Sequence, residues 1–348
     1  MTSGTAYTNP DGTPPVLVTG AAGFIGFAIA QRLLSAGRAV VGIDSLNDYY
    51  DPALKQARLD RLNLHRGFAF ERLDIADSTA MAALFARHRP RLVAHMAAQA
   101  GVGYSMRNPL AYGASNLTGF LNILEGCRAA GTGHLVYASS SSVYGGNARV
   151  PFSEHDSVDH PVSLYAATKK ANELMAHSYA ALYGLPMTGL RFFTVYGPWG
   201  RPDMAVWTFT RAILAGEPIA VNNHGRMWRD FTYIDDIAEA VVRLLDQPAA
   251  PDPAFDRMKP DPATSWAPHR VMNIGNRRSE ALMDLIGLIE AETGRKAVLD
   301  LRPMPPGEVV ATAADTSALE AAIGFRPATP LADGIARFVR WYRDHHGC

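Results

Sequence analysis

The sequence predicts an α/β protein built on a doubly wound parallel sheet. Three observations carry that expectation: short β-branched runs alternate with helical stretches, the first run ends in a glycine-spaced turn, and an aspartate closes the second. "PVLVTG" is the first strand, ending at Gly20, and "FIGFAIAQRLLSAG" follows it with Ile25, Ile29 and Leu33 spaced by four and Gly37 as a stop. "AVVGID" is the second strand. "FAFERLDI", "LVAHMAA" and "HLVYASSSSVYG" read as further strands, with "STAMAALFARHR" and "NLTGFLNILEGCRAAG" as helical stretches between them. After about residue 190 the regularity loosens and loops such as "VYGPWGRPD" intervene. The segment 246–269 contains "PAAPDP" and "KPDPATSWAP" and reads as an irregular surface insertion. No internal repeat or low-complexity tract is present.

At 348 residues the chain is long enough to bury a large core, in one large domain or two intimate ones. Its 33 basic and 33 acidic residues balance, so no basic excess argues for nucleic acid or an anionic membrane, and a small-molecule partner is the expectation. Two cysteines, Cys127 in an apparent helix and Cys348 at the end, give neither a disulfide framework nor a CxxC metal site, which fits a reducing cytoplasm. "MTSGTAYTNPDGTPP" lacks a basic start and an apolar run and reads as a disordered tail rather than a signal peptide. No segment approaches the roughly 18 apolar residues of a membrane span.

The first strand meets its helix through "TGAAGFIG", where Gly20, Gly23 and Gly26 fall at three-residue spacing. Missing side chains at such positions let the backbone and a helix N-terminus approach a pyrophosphate. Asp44 stands at the end of the second strand, where a ribose 2′-hydroxyl is met. A carboxylate there repels a 2′-phosphate, and "DSLND" offers no arginine beside it, so NAD is expected rather than NADP. Downstream, Ser139 to Ser142 close a strand at the sheet edge where ligands bind, and "SLYAATKK" sets Tyr165 and Lys169 at i and i+4 on one helical face. A neighbouring cation favours phenolate, and a hydroxyl can relay a substrate proton.

The glycine-spaced turn, the strand-end serines and the YxxxK pair together resemble the extended branch of the short-chain dehydrogenase/reductase superfamily. The likeness narrows through "AAQAGV", "ASNLTGFLNILEGC", "YASSSSVYG", "PFSEHDSVDHPVSLYAATKKANELMAHSYA", "GLPMTGLRFFTVYGPWGRPDMA" and "RDFTYIDDIAEAVVRLLD", and it covers the chain from about Pro15 to Tyr342. These strings resemble the UDP-glucuronate 4-epimerases, which interconvert UDP-glucuronate and UDP-galacturonate. The resemblance implies a Rossmann-like NAD-binding domain over 15–194 after a disordered tail at 1–14, rejoined by a returning segment near 230–247. A smaller α/β C-terminal substrate-binding domain over 195–348 would hold the nucleotide sugar and carry the 246–269 insertion.

Carried over residue by residue, the resemblance makes Tyr165, Lys169 and Ser140 catalytic: the lysine lowers the tyrosine pKa and holds the nicotinamide ribose, the tyrosine moves the C4 hydroxyl proton, and the serine relays it. NAD, tightly held and regenerated through a transient 4-keto sugar, would meet Gly20, Gly23, Phe24, Ile25, Gly26, Asp44, Asp74, Ile75, Ala97, Ala98 and Lys169. Arg229 would grip the UDP pyrophosphate, Arg201 would add a second anion contact, Glu308 would hold the uridine ribose, and Thr194, Ser141 and Ser142 would face the sugar and its carboxylate. A homodimer on helices 116–130 and 166–183 is implied as well.

The serines bear on the outcome of the reaction. Oxidation at C4 of a glucuronate makes a β-keto acid, and neutral hydroxyls pin its carboxylate without supplying a proton. By analogy, related dehydratases and decarboxylases carry acidic residues just before "VYG", where this chain has Ser141 and Ser142, so elimination and decarboxylation are not expected. Two departures bear on the substrate: the family's "GVRYS" is "GVGYS" here, with Gly103 in place of a positive charge, and Glu308 stands where an aspartate is usual. UDP-glucose is therefore the alternative substrate. His155, Asp156, Asp159 and His160 have no second ligand cluster and precede Pro161, so they are read as a loop without metal. Asp235 and Asp236 are read as the first turn of a helix, His95 as structural, and Phe338 with Trp341 as the inner face of a terminal helix.

Overall fold

Continuous apolar runs become the inner strands of a parallel sheet because both faces of such a sheet are covered. In the computed structural model, which describes residue 9 and residues 12–305 and 307–348, the runs read from sequence form β1 (Val16–Thr19), β2 (Val40–Asp44), β3 (Phe68–Arg72), β4 (Leu92–His95) and β5 (His134–Ser140). Between them lie α1 (Phe24–Ser35), α2 (Pro52–Leu62), α3 (Ser78–His88), α4 (Val102–Arg107), α5 (Pro109–Tyr112) and α6 (Gly119–Ala130). A π-helical stretch, Gly113–Thr118, joins α5 to α6. Then come α7 (Leu164–Tyr183), β6 (Met187–Phe192), β7 (Thr194–Tyr196), α8 (Ala205–Ala215), β8 (Pro218–Val221), β9 (Trp228–Tyr233) and α9 (Ile234–Leu245). The chain ends through β10 (His269–Ile274), β11 (Ser279–Ala281), α10 (Leu282–Thr293), β12 (Val298–Leu301), α11 (Ser317–Ile323) and α12 (Leu331–His346).

The seven-stranded sheet runs β10-β6-β5-β4-β1-β2-β3, and the pairs from β3 through β5 are parallel. Order reverses at β1, so the crevice beyond the C-terminal ends of β1 and β4 is where such a sheet holds a ligand. Leu17, Val41, Ile43, Val93 and Leu135 from these strands pack with Met81, Phe85, Phe120 and Ile123 of the covering helices in one core. Full burial of each such side chain is worth about 1.5–3 kcal/mol.

Local chemistry sets the helix ends. Asp51 caps α2, accepting from Ala53 N–H (2.9 Å), with Pro52 at the first helical position. Ser163 caps α7, accepting from Ala166 N–H (3.1 Å), and Gly184 stops it at φ +66°.

The chain divides into two compact units, each assembled from three stretches: 1–146, 154–191 and 238–272 in the first, 147–153, 192–237 and 273–348 in the second. In the second unit β11-β9-β7 form a three-stranded sheet and β12 pairs with β8. The proline-dense segment belongs to the first unit, not with the sequence-read sugar domain, and it is more than a surface insertion. Ser265 and Ala267 are buried, Ala267 joins the sheet core, and His177 of α7 shares a 2.8 Å hydrogen bond with Ser265 Oγ. Prolines made the stretch look irregular, while the small residues between them dock. Of the tail expected at 1–14, residues 1–8, 10 and 11 lie outside the described residues. Asn9 is tied down, its Oδ1 accepting from Ala39 N–H and its Nδ2 donating to Pro14 O (2.9 Å).

Candidate functional site

Gly20 follows β1 at φ +68°, and a Cβ there would stand 2.9 Å from Ala97 N. A Cβ at Gly26 would fall 2.1 Å from Gly20 O, so the first turn of α1 lies directly on the turn before it. Gly23 is the N-cap of α1 and offers no side-chain cap, which leaves the amides at Phe24 and Ile25 for a ligand. Asp44 sits at the tip of β2, its Oδ2 accepting from Ala22 N–H (3.2 Å) and its Oδ1 from Leu46 N–H (2.9 Å). Ala97 and Ala98 are half-buried at the end of β4, where Thr19 Oγ1 accepts from Ala97 N–H (3.0 Å). Ile75 is buried against Gly119, whereas exposed Asp74 bonds its own loop through Ala76 N–H (2.9 Å). A bare helix start, a turn without side chains and a strand-end carboxylate fit a dinucleotide: pyrophosphate on the amides, ribose hydroxyls on Asp44.

Helix α7 lies against β5 and against the 3-10 turn Ser141–Tyr144 that follows it. Lys169 is buried, and its ammonium donates to Ala138 O (2.8 Å) near the end of β5. Burial lowers its pKa from 10.5 to about 8. Tyr165, one turn earlier, is half-buried, with the Tyr112 ring edge-on at 6.1 Å. Ser140 Oγ donates to Ser142 Oγ (3.1 Å) and accepts from Ser142 N–H (3.2 Å), while Ser141 stands half-buried beside them. The structure thus gathers Ser140, Ser141, Ser142, Tyr165 and Lys169 where α7 packs on β5 and the 3-10 turn, all in the first unit.

His95, read as structural from sequence, is buried beside β1. Its Nδ1 shares a 2.8 Å hydrogen bond with Thr19 Oγ1, and burial, with Lys169 nearby, lowers its pKa to about 3.

In the second unit Arg229 Nη2 donates to Glu308 Oε2 (2.8 Å) and Nη1 to Trp228 O (2.9 Å), so this predicted pair is brought together. Arg201 is apart from them, bound to Asp203 (Nε to Oδ1, 3.0 Å). Thr194 opens β7 opposite Phe231 of β9. Asp235 and Asp236 occupy the first turn of α9, and Asp236 Oδ2 accepts from Thr329 N–H (2.9 Å). Among the described residues no group of three or more His, Cys, Asp and Glu could hold a metal; His155 pairs with Asp261.

Three arrangements escaped the sequence reading. Asn116, in the π-helical stretch, accepts from Gln99 N–H (2.8 Å) and donates to Thr168 Oγ1 of α7 (3.0 Å), and its own carbonyl accepts from Asn172 Nδ2 (2.6 Å). Such bulges free a backbone carbonyl and recur at functional sites. Behind the serines, Glu173 of α7 accepts from Ser139 Oγ (2.6 Å) and from Arg191 Nε and Nη2 (2.9 Å each), all buried. The third is α2, which turns Lys55 and Arg58 inward. Arg58 Nη1 donates to Ala22 O (2.8 Å), so the glycine turn does have an arginine beside it, delivered by the helix rather than by "DSLND".

Comparison with known proteins shows the family. The family model described as the NAD dependent epimerase/dehydratase family matches residues 16–258. The chain is 46% identical over 334 residues to a probable UDP-glucuronate 4-epimerase of Rhizobium meliloti, covering 95% of this chain and 97% of the relative. It superposes at TM-score 0.85 and 31% identity on the Bacillus cereus UDP-glucuronic acid 4-epimerase solved with UDP-glucuronic acid and NAD, covering 95% of this chain and 99% of that one. It likewise resembles the Thermotoga maritima UDP-glucose 4-epimerase solved with UDP-glucose, at TM-score 0.81 and 29% identity, covering 95% and 99%.

Proposed function

Because the chain belongs to the NAD dependent epimerase/dehydratase family, we propose that it interconverts UDP-glucuronate and UDP-galacturonate by inverting C4, without decarboxylation. The observation that carries this reading is the join of α7 to β5: Tyr165 and Lys169 on one face, with three neutral hydroxyls at the strand end. When bound, NAD supplies a hydride acceptor and donor for C4 of the sugar.

Tyr165 takes the C4 hydroxyl proton and returns it, with Ser140 as relay. Lys169, anchored on Ala138 O, supplies positive charge one turn from the phenol. Ser141 and Ser142 hold the carboxylate with hydroxyl donors, which orient it and give up no proton. The oxidised sugar has to present its other face, so tight contacts belong on UDP; Arg229 serves its pyrophosphate and Glu308 its ribose, with Thr194 and Arg201 as further contacts. UDP-glucose is the second reading, favoured by Gly103, whose position on α4 carries no cation. A homodimer through α6 and α7 is supported by Leu174 and Leu182, exposed at 61% and 69%. The balanced charge and the two cysteines, one buried and one exposed, support a cytoplasmic location.

The test is to incubate the purified protein with UDP-glucuronate, adding no NAD, and follow the sugars by NMR. UDP-galacturonate is the expected product and also reports a retained cofactor. No change even with NAD supplied, or a pentose product, would overturn the assignment.

A further inference from the structure

Buried cations are rare in proteins, and α2 buries two. Arg58 is fully buried and Lys55 nearly so, at 5% exposure. Arg58 Nη1 donates to Ala22 O at 2.8 Å and to Tyr50 Oη at 2.7 Å, with the guanidinium 5.6 Å from the centre of the Tyr50 ring. Lys55 Nζ donates to Asn47 O (2.8 Å) and Asn47 Oδ1 (2.7 Å), in the loop that follows Asp44.

Ala22 precedes Gly23 in the glycine-spaced turn, and it is held from both sides. Its N–H donates to Asp44 of β2 and its carbonyl accepts from Arg58 of α2. The peptide that carries this carbonyl also carries Gly23 N–H, which donates to Gly20 O (2.8 Å) at the start of α1. Arg58 thereby fixes the orientation of the peptide that leads into the N-cap of α1.

Electrostatics points the same way. The N-terminus of a helix is a positive pole, and a guanidinium buried beside it adds to its pull on an anion. Asp44 places negative charge beside the same turn, which would oppose a pyrophosphate. Lys55 of α2 feels the Asp44 charge, and Arg58 adds a second cation on the other side of Ala22.

We propose that Arg58 is a positioning residue for the dinucleotide: it locks the Ala22–Gly23 peptide and adds buried positive charge beside the turn, so that α2, and not the glycine turn alone, sets how firmly NAD is held. The inference rests on the dinucleotide reading of the turn. It makes α2 part of the cofactor site although no residue of "PALKQARLDRL" belongs to the glycine pattern.

The experiment uses the full-length chain as wild type, Arg58→Met and Arg58→Lys. Affinity for NADH is read by fluorescence titration, NAD per chain is measured after desalting, and turnover is recorded against added NAD. Loss of one charge-assisted bond and its charge corresponds to about tenfold or more in affinity. Arg58→Met is expected to bind NADH at least that much more weakly and to need added NAD, with kcat recovering at saturation. Arg58→Lys, which keeps the charge and is too short to reach both partners, falls between the two. A merely structural role would lower Tm and leave NADH affinity unchanged, and Arg58→Met within about twofold of wild type overturns the proposal. If Arg58→Met does not fold by circular dichroism, Arg58→Lys decides, and wild-type affinity in it overturns the proposal. Failure of the wild-type protein to bind NADH would overturn the dinucleotide reading itself, a result distinct from a variant that binds as well as wild type.

Discussion

Replacing Lys169 by methionine is expected to stop turnover while leaving the nucleotide-free fold as stable as before or more so. Burial takes the lysine pKa from 10.5 to about 8. At about 1.4 kcal/mol per pH unit, this is a cost of about 3 kcal/mol at pH 7, where the side chain is charged in folded and unfolded states alike. Methionine removes that cost and leaves Ala138 O without its donor, a loss of about 1–3 kcal/mol, so the net change lies between about 0 and 2 kcal/mol in favour of the variant. Between pH 8 and 10.5 the folded lysine has released its proton while the unfolded one still holds it. The unfolded state then binds more protons, and wild-type stability rises with pH across that window, a rise the variant lacks. Urea unfolding of both nucleotide-free proteins at pH 7 and pH 10 measures this directly, because every other titration is shared and cancels in the difference. The gap between the proteins should shift by about 2–3 kcal/mol in favour of wild type on going to pH 10. A variant destabilised at pH 7 by more than about 1 kcal/mol, with a gap that ignores pH, would refute the reasoning.

Tyr165→Phe should lower kcat by about a hundredfold or more while NADH still binds; activity near wild type would remove the tyrosine from proton transfer. Glu173→Gln strands the buried Arg191 guanidinium and should cost about 3–5 kcal/mol in urea unfolding, and a loss below about 1 kcal/mol would show the pair to be dispensable. Gly103→Arg meets open space, since no atom lies within 4 Å of an added Cβ. It should raise the kcat/KM preference for UDP-glucuronate over UDP-glucose by about tenfold, and an unchanged ratio would separate this position from the sugar.

The sheet and the glycine turn were legible because each inner strand is apolar on both faces and each turn residue has one local reason to be there. Val16 to Thr19, for example, are buried without a break. That Tyr165 and Lys169 share a face was legible from spacing, because a helix fixes where residues four apart lie, whereas their role was implied only by the family resemblance. Helix α2 was not. Its start is marked by Asp51 and Pro52, yet its inner face carries Lys55 and Arg58, which by composition belong to a solvated surface. Only the fold supplies Ala22 O and Asn47 for them to bond. Asn116 was hidden for another reason: "GASNLT" has the pattern of an ordinary helix, and the partners of Asn116 are the Gln99 backbone and side chains of α7. The same holds for Ser139, Glu173 and Arg191, three polar residues whose partnership needs β5, α7 and β6 side by side.

The interleaving of the two units also dictates an order of events at the ribosome. Strand β6 is complete at residue 192, but its outer neighbour β10 spans His269–Ile274. At synthesis rates of about 5–20 residues per second, that edge waits on the order of ten seconds for its partner. Throughout that delay the nascent sheet presents an unpaired apolar strand, the feature most prone to capture by a second chain. A messenger truncated anywhere before the codon for Ile274 would yield a chain that cannot close its own sheet. Expression should therefore depend on chaperone supply and on translation speed across codons 193–268 more than the stability of the finished protein would suggest.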